Sequence, residues 1–316
     1  MNELKKRGKH MRTEIEDAST RLADYVRKTP VISLGSEAWG LDAHLVLKLE
    51  QLQHTGSFKA RGAFNRILSH RVPPSGVIAA SGGNHGVAVA YVAKQLGYRA
   101  EIFVPETCPP LKVERLRSYG ALVSLVGANY AEALLASQTR AVQTDALVVH
   151  AYDQPEIVAG QGTVGYEFAR QVPELDTVLV VVGGGGLITG IAAWFEGKVR
   201  VIGVEPESAP TLAAALRAGE PIDVEVGGIA LDSLGARRVG TIAFSLAKRY
   251  VNRVVLVRDV TIRAAQRALW NDLRIVAEPG GAAPVAALIG GLYRPEPGER
   301  VGMVVSGGNT DLSQLL

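Results

Sequence analysis

Short β-branched runs alternate with amphipathic stretches along most of the chain, and this alternation is the feature that most constrains the fold. The runs GVIAAS, EIFVP, ALVSLV, TVLVVV, VRVIGVE and NRVVLV are each followed by residues with helical spacing of apolar positions. Strand and helix in alternation predict βαβ units, which place their strands side by side in parallel sheets. The predicted class is α/β, in which ligands bind where the carboxyl ends of the strands meet.

The length of the chain is that of one large or two moderate domains. Its 316 residues are 47% hydrophobic and 21% charged, a composition typical of compact globular proteins. No low-complexity linker divides the sequence, so more than one short connection must cross any boundary. We predict a larger domain formed by residues 1–71 and 142–316 and a smaller one formed by residues 72–141, with a cleft between them.

Charge and hydropathy argue against nucleic acid and membrane as partners. The formal net charge is only +3, and the lysines and arginines are dispersed. The uncharged run Val178 to Phe195 approaches membrane-spanning length, but it contains five glycines and reads as strand, loop and helix. A single cysteine, Cys108, excludes an intrachain disulfide, and the N-terminus lacks a signal-peptide core. We therefore expect a cytoplasmic protein that acts on a small molecule.

The loop SGGNHG, which begins at Ser81, connects a predicted strand to a predicted helix. Its glycines free the backbone to turn N–H groups toward one point, and a helix N-terminus adds positive potential. Such a loop can hold a carboxylate or a phosphate, with Asn84 and His85 at its rim. A tight turn without chemical meaning is an equal alternative for this loop taken alone.

A second glycine loop, GGGGL at residues 183–187, also leads from strand to helix. Four consecutive glycines exceed what a turn needs, which favours an anion cradle. A dinucleotide site is the rival, because Glu205 ends the next strand where a ribose-binding acid would lie. The spacing G-x-G-x-x-G fails, however, since its third glycine position holds Thr189.

Two further stretches complete the candidate site. SGGN, starting at Ser306, follows the last predicted strand and offers a hydroxyl at the same sheet edge. GSFKARG places Lys59 beside Phe58 at the head of a helical segment, and Arg61 has no acidic partner at helical spacing. A lysine near anion-binding loops is the group that carbonyl chemistry requires, although a solvated helix lysine is the simpler alternative.

The motifs GSFKARGA, SGGNHG, VGGGGL and SGGN, in this order, resemble those of fold type II pyridoxal-phosphate enzymes, in particular the serine/threonine dehydratase and serine racemase group. The likeness extends from about Arg27 to Leu316. It implies a tryptophan synthase β-like fold, two open and mainly parallel sheets with pyridoxal 5′-phosphate in the cleft between the domains. Members of the group are commonly dimers, so it also implies a homodimer.

The resemblance assigns roles to individual residues. It makes Lys59 the catalytic lysine that binds the cofactor and places Phe58 beside the cofactor ring. Asn84 would contact its 3′-oxygen, and Ser306 would face its ring nitrogen. The phosphate would be held by Gly183, Gly184, Gly185, Gly186 and Leu187. The substrate carboxylate would be held by Ser81, Gly82, Gly83 and His85.

These roles imply loss of water from a β-hydroxy amino acid, L-threonine or L-serine, to give a 2-oxo acid and ammonia. Racemases of the group carry a serine acid immediately after the position of Ser81, where this chain has Gly82, so elimination is favoured. The enzymatic alternatives are a dehydratase for phenylserine or 3-hydroxyaspartate, a serine racemase and a β-replacement enzyme. The alternative outside enzymes is a nucleotide-binding α/β module.

A cation site is also part of the resemblance. Its ligands would be Glu205, the carbonyl of Ala209 and the residue at 211, where Thr211 replaces an expected acid. With one carboxylate fewer, the site has less charge for Mg²⁺ or Mn²⁺. We expect a monovalent ion, a weakly held divalent ion or no ion. Because the sequence ends soon after SGGN, we expect no feedback through an added regulatory domain.

Overall fold

The computed structural model describes residues 2–35 and 38–314, and within them the strands form two mainly parallel sheets. The first sheet contains, in spatial order, β1 (Val31–Ser33), β2 (His44–Leu49), β10 (Arg300–Val305), β7 (Thr177–Val181), β8 (Arg200–Pro206) and β9 (Arg253–Val257). The second sheet contains, in spatial order, β5 (Leu122–Leu125), β4 (Ala100–Val104), β3 (Val77–Ala80) and β6 (Leu147–Val148). Only β1 pairs antiparallel to its neighbour, so the predicted α/β class with parallel sheets is confirmed.

The second sheet extends further along the sequence than the predicted smaller domain. We predicted that this domain ends at residue 141, but β6 lies beyond that point and pairs with β3 through Val77↔Leu147 and Ile78↔Val148. Backbone pairing thus places residues 147–148 in the second sheet, whereas the predicted boundary at 141/142 assigns them to the larger domain. The two-domain division itself stays a prediction.

Helices form most of the connections between the strands. They are α1 (Asn2–Leu22), α2 (Lys59–Leu68), α3 (Asn84–Gln95), α4 (Pro110–Ser118), α5 (Tyr130–Thr144), α6 (Pro155–Gln171), α7 (Gly186–Phe195), α8 (Thr211–Ala218), α9 (Leu231–Leu234), α10 (Thr241–Tyr250), α11 (Asp259–Leu273) and α12 (Pro279–Ile289). Local side-chain and backbone chemistry explains where two of these helices begin. The Asn129 side chain accepts from the N–H of Glu132 at the start of α5, and α12 begins at a proline, which needs no N–H partner there. Across the described ranges, no helix has an apolar stretch long enough to cross a bilayer.

Hydrophobic side chains fill the space on both sides of the central strands. Leu45 of β2, Val180 of β7 and Met303 of β10 have no exposed surface, and β7 is buried along its whole length. Continuous apolar runs of this kind are expected where helices cover both faces of a parallel sheet. The core thus holds the carboxyl ends of these strands in a fixed arrangement.

A buried ion-pair cluster joins β2, α2 and α6. Arg61 Nε lies 2.8 Å from Glu50 Oε2, and Arg61 Nη2 lies 2.7 Å from Glu50 Oε1, which is a bidentate pair. Glu167 contacts both Arg61, at 3.1 Å, and Lys48. Arg61 is 1% exposed, and Lys48 and Glu50 have no exposed surface. The cluster therefore holds α2 against the first sheet. Arg61, which makes these contacts, lies two residues after Lys59, the first residue of α2.

We predict that Arg61→Met lowers the free energy of unfolding by about 3–5 kcal/mol, because Glu50 is then left as a buried charge without its bidentate partner. The measurement is urea unfolding, with Arg71→Met as a control, since Arg71 is exposed and should change stability by less than about 0.5 kcal/mol. Adding Glu50→Leu to Arg61→Met should recover part of the loss. Equal effects of Arg61→Met and Arg71→Met would contradict a stabilising role for the pair.

Candidate active site

The loops selected from the sequence follow the carboxyl ends of parallel strands, and direct contacts join several of them. Ser81 follows β3, Gly183 follows β7 and Ser306 follows β10. The backbone N–H of Phe58 donates to the carbonyl of Ser306 over 3.1 Å. The amide of Asn309, in the loop after β10, donates to Asn84 Oδ1 at the start of α3 over 2.7 Å. Residues from both sheets thus line one cleft.

Lys59 is the first residue of α2 and is half-buried. Its Nζ donates to the carbonyl of Ala151 over 2.8 Å and lies 5.2 Å from the centre of the Phe58 ring. Burial lowers the pKa of Lys59 to about 8, although the nearby charge of Glu278 opposes the shift. A larger fraction of this amine is therefore neutral near pH 7 than of an ordinary lysine.

The glycine loop before α7 is shaped for an anion. Gly185 has φ +94°, and a Cβ on Gly184 would lie 2.2 Å from the ring of Tyr152, so neither position tolerates a side chain without strain or displacement. The loop leads into the N-terminus of the ten-residue helix α7, where Gly186 and Leu187 are in the first turn. N–H groups in a first turn have no partner within the helix and carry partial positive charge.

The loop SGGNHG forms a second helix N-terminus in the cleft. Gly83 precedes α3, and its N–H donates to Ser81 Oγ over 3.2 Å. A Cβ on Gly82 would lie 2.9 Å from Cys108 Sγ. The thiol therefore occupies part of the space that a side chain at position 82 would take.

His85 is 4% exposed and its Nε2 lies 2.9 Å from the carbonyl of Val149. Burial lowers the pKa of His85 to about 3, and the nearby Lys59 adds to the shift. The imidazole is therefore neutral and donates its Nε2–H to Val149. Its ring supports the loop by this bond, so any contact of His85 with a substrate carboxylate stays a prediction.

Glu278 is a site residue that the sequence reasoning missed. It is 5% exposed, it precedes α12, and its two oxygens lie 2.8 and 3.0 Å from Asn84 Nδ2. Burial raises the pKa of Glu278 to about 7, against the lowering effect of the bond from Asn84. The only sequence signal is an acid before the helix-starting stretch Pro279-Gly-Gly, 194 residues from Asn84.

The residues predicted to bind a cation are close to the glycine loop, which Thr211 contacts at Gly183. Glu205 accepts from the N–H groups of Leu212 and Ala213 over 2.7 and 2.9 Å, and Thr211 Oγ1 is 2.9 Å from Glu205 Oε1 and 2.7 Å from the carbonyl of Gly183. The carbonyl of Ala209 accepts from the N–H of Thr211. Burial raises the pKa of Glu205 to about 7. Among the described residues no group of three or more His, Cys, Asp or Glu side chains is placed to hold a metal, and the cation site stays a prediction.

The cleft fits a small phosphorylated aldehyde. An amine with a lowered pKa lies in the same cleft as two helix N-termini, and a cradle of glycines leaves backbone N–H groups accessible to a phosphate. Ser57, next to Phe58, has no exposed surface, and its hydroxyl is among the buried polar groups without a hydrogen-bond partner in the described residues. Ser306 is 3% exposed at the end of β10. Buried hydroxyls at this position suit a ligand with polar ring substituents.

Solved structures with the same fold cover almost the whole chain. A threonine deaminase of T.th. superposes with a TM-score of 0.88 and 34% identity over 95% of this chain and 98% of that protein. A maize serine racemase superposes with a TM-score of 0.90 and 34% identity over 96% of this chain and 94% of that one. The two-sheet architecture is thus that of fold type II enzymes.

Sequence comparison leads to the same group. The chain is 38% identical over 309 residues to an L-threonine ammonia-lyase of Thermotoga maritima, a match that covers 96% of this chain and 76% of the relative. It is 36% identical to a catabolic L-threonine dehydratase of Staphylococcus aureus, over 96% of this chain and 90% of the relative. Residues 22–307 match the family model described as pyridoxal-phosphate dependent enzyme. The chain therefore belongs to the pyridoxal-phosphate-dependent enzyme family.

Proposed function

We propose that this enzyme removes water from L-threonine or L-serine and releases a 2-oxo acid and ammonia. The observation that carries the proposal is the placement of Lys59, a half-buried amine with a lowered pKa, in one cleft with two glycine-bounded helix N-termini. The names of the relatives support the choice of substrate, since L-threonine ammonia-lyase and L-threonine dehydratase match 96% of the chain.

We assign the binding of the cofactor as follows. When bound, pyridoxal phosphate supplies an aldehyde that condenses with amines and a ring that withdraws electrons from the substrate. Lys59 would hold the aldehyde carbon, and Phe58 would pack beside the ring. Asn84 would donate to the 3′-oxygen, and Ser306 would face the ring nitrogen. The N–H groups of Gly183, Gly184, Gly185, Gly186 and Leu187 would bind the phosphate.

Lys59 also moves the proton in the reaction. We assign to its neutral Nζ the removal of the proton from the α-carbon of the bound amino acid. An amine with a pKa of about 8 has a large enough neutral fraction near neutral pH for this step. The carbonyl of Ala151, 2.8 Å away, orients the amine.

The N-terminus of α3 receives the substrate carboxylate. Ser81 offers its hydroxyl, and Gly82 and Gly83 let the carboxylate approach the backbone closely. His85, as a neutral imidazole, holds this loop in place through its hydrogen bond to the carbonyl of Val149. The β-hydroxyl leaves as water with the proton that Lys59 has taken, which gives an enamine. The enamine leaves the cleft and takes up water to give the 2-oxo acid and ammonia.

Serine racemisation is the second candidate, because the maize serine racemase matches 96% of the chain with 34% identity. Gly82 disfavours it, since no side-chain acid at this position faces the substrate from the side opposite Lys59. Assays with L-threonine, L-serine, phenylserine and 3-hydroxyaspartate separate the proposed substrates from bulkier and acidic ones. Assays for D-serine and for β-replaced products test the remaining alternatives.

We further propose that the enzyme acts in the cytoplasm as a homodimer. Cys108, the one cysteine of the sequence, is free and half-buried, which suits a reducing compartment. The homodimer rests on the resemblance to the family alone.

We expect Lys59→Ala to abolish the visible absorbance band of the bound cofactor and to lower kcat/KM for L-threonine and L-serine by at least about a thousandfold, because the covalent attachment and the base are both lost. Circular dichroism should be nearly unchanged. Lys94→Ala, an exposed lysine on α3, is the control and should keep both properties. A retained band in Lys59→Ala would falsify the assignment of this lysine.

The pH dependence of Lys59 gives a separate test. In the protein freed of cofactor, acylation of Lys59 should rise with pH around a midpoint of about 8, the pKa of this residue. Glu278→Gln should move the midpoint downward, because the carboxylate charge that favours the protonated amine is removed. Mass spectrometry of the modified peptides gives both midpoints, with Lys94 as the internal reference. A midpoint that stays in place or rises in Glu278→Gln contradicts the coupling.

Reaction specificity at position 82 can also be changed. Gly82→Ser should raise the ratio of D-serine to pyruvate formed from L-serine, because it supplies a hydroxyl on the face opposite Lys59. The gain should be larger in Gly82→Ser/Cys108→Ala, since the new Cβ otherwise lies 2.9 Å from Cys108 Sγ. Cys108→Ala alone is the control and should leave the ratio unchanged. An unchanged ratio in both serine variants rules out this use of position 82.

A further inference from the structure

A directional chain of hydrogen bonds runs from α4 to Asn84, the residue assigned above to the cofactor 3′-oxygen. It begins at Arg115, a half-buried residue of α4. Arg115 Nη2 donates to Asn309 Oδ1 over 2.8 Å and to the carbonyl of Thr55 over 3.1 Å. The chain therefore links a helix beside the second sheet to the loop after β10.

The guanidinium determines which way the amide of Asn309 points. Arginine can only donate hydrogen bonds, so the oxygen of Asn309 must face Arg115 and its nitrogen must face away. That nitrogen donates to the carbonyl of Thr55 over 2.9 Å and to Asn84 Oδ1 over 2.7 Å. The orientation of Asn309 is therefore set by Arg115.

The same logic continues to Asn84. Because Asn309 donates to it, Asn84 must present its oxygen to Asn309 and its Nδ2 to the cleft. There the carboxylate of Glu278 accepts from Nδ2 at 2.8 and 3.0 Å. In its ionised form the carboxylate can only accept, so ionised Glu278 selects the same orientation from the other end.

We propose that Arg115 is a positioning residue, which acts through Asn309 to hold the Asn84 amide with its N–H donor toward the cofactor. The inference rests on the proposed function, since it takes Asn84 as the contact of the cofactor 3′-oxygen. With a reversed amide, Asn84 would present an oxygen to that oxygen and to Glu278, and two acceptors would repel. Arg115 thus protects one binding contact without touching the cofactor.

The chain also couples the two sheets. Arg115 and Lys112 lie on α4, which packs with the second sheet. Asn309 follows β10 of the first sheet, and Asp232 lies on α9, which packs against α12 beside that sheet. Lys112 Nζ lies 2.7 Å from Asp232 Oδ1. The bond from Arg115 to Asn309 therefore joins α4, beside the second sheet, to the loop after β10 of the first.

The test compares Arg115→Met with Arg117→Met, which removes the same charge from an exposed position on the same helix. Reconstitution of the cofactor-free protein gives the Kd for pyridoxal phosphate, and the reconstituted protein gives the wavelength and the pH dependence of the absorbance band. Arg115→Met should bind the cofactor about tenfold more weakly, the loss expected for one charge-assisted hydrogen bond, and its band should shift. Arg117→Met should match the unmodified protein, and Arg115→Lys should restore part of the affinity.

Asn309→Asp is the second variant, for the case in which Arg115→Met does not fold. It keeps an acceptor for Arg115 and removes the donor to Asn84, so it should shift the band in the same direction. If Arg115→Met folds and matches Arg117→Met in affinity and band, or if Asn309→Asp leaves the band unchanged, the inference is overturned. Failure of the proposed function is distinct, because the unmodified protein would then form no band with pyridoxal phosphate.

Discussion

The bidentate pair between Arg61 and Glu50 is the interaction on which the arrangement of the site depends. Both side chains are buried, and their bidentate contact forms only while α2 lies against the end of β2. A buried charge without its partner is costly, so α2 has few alternative positions. Lys59 is the first residue of this helix, so the contact between Arg61 and Glu50 also fixes the position of its amine in the cleft.

Two helix N-termini give the cleft its electrostatic character. α3 and α7 begin at the glycine loops, and their first N–H groups supply partial positive charge without lysine or arginine side chains. Lys59 and Glu278, both with pKa values shifted by burial, supply the titrating groups. The backbone groups that bind anions are thus separate from the side chains that transfer protons. A substitution of Lys59 or Glu278 should leave the two helix N-termini in place.

The structure shows how far the positions of the site residues follow from the sequence and where sequence reasoning stops. Lys59, Asn84, the glycine loop and Ser306 each lie at the ends of the elements in which they were expected, because strand and helix periodicity are local properties. The residues that orient them were missed. Glu278 reaches Asn84 across 194 residues, and Arg61, which has no acidic partner at helical spacing, finds one in Glu50 before the helix and another in Glu167 of α6. The two-residue strand β6 is too short to show a period, so only its pairing with β3 places it in the second sheet.

The sequence by itself determined the α/β class, the order of the loops and the chemical groups on them. Glycine runs, alternating periodicity and the lysine of GSFKARG are all visible within short stretches of sequence. Only the tertiary structure decided which carboxylate faces the lysine, which way the amide of Asn84 points, and how much room is left beside Gly82. Those properties depend on distances between segments far apart in the chain and on the water that their packing removes. The same burial lowers the pKa of Lys59 and raises that of Glu278.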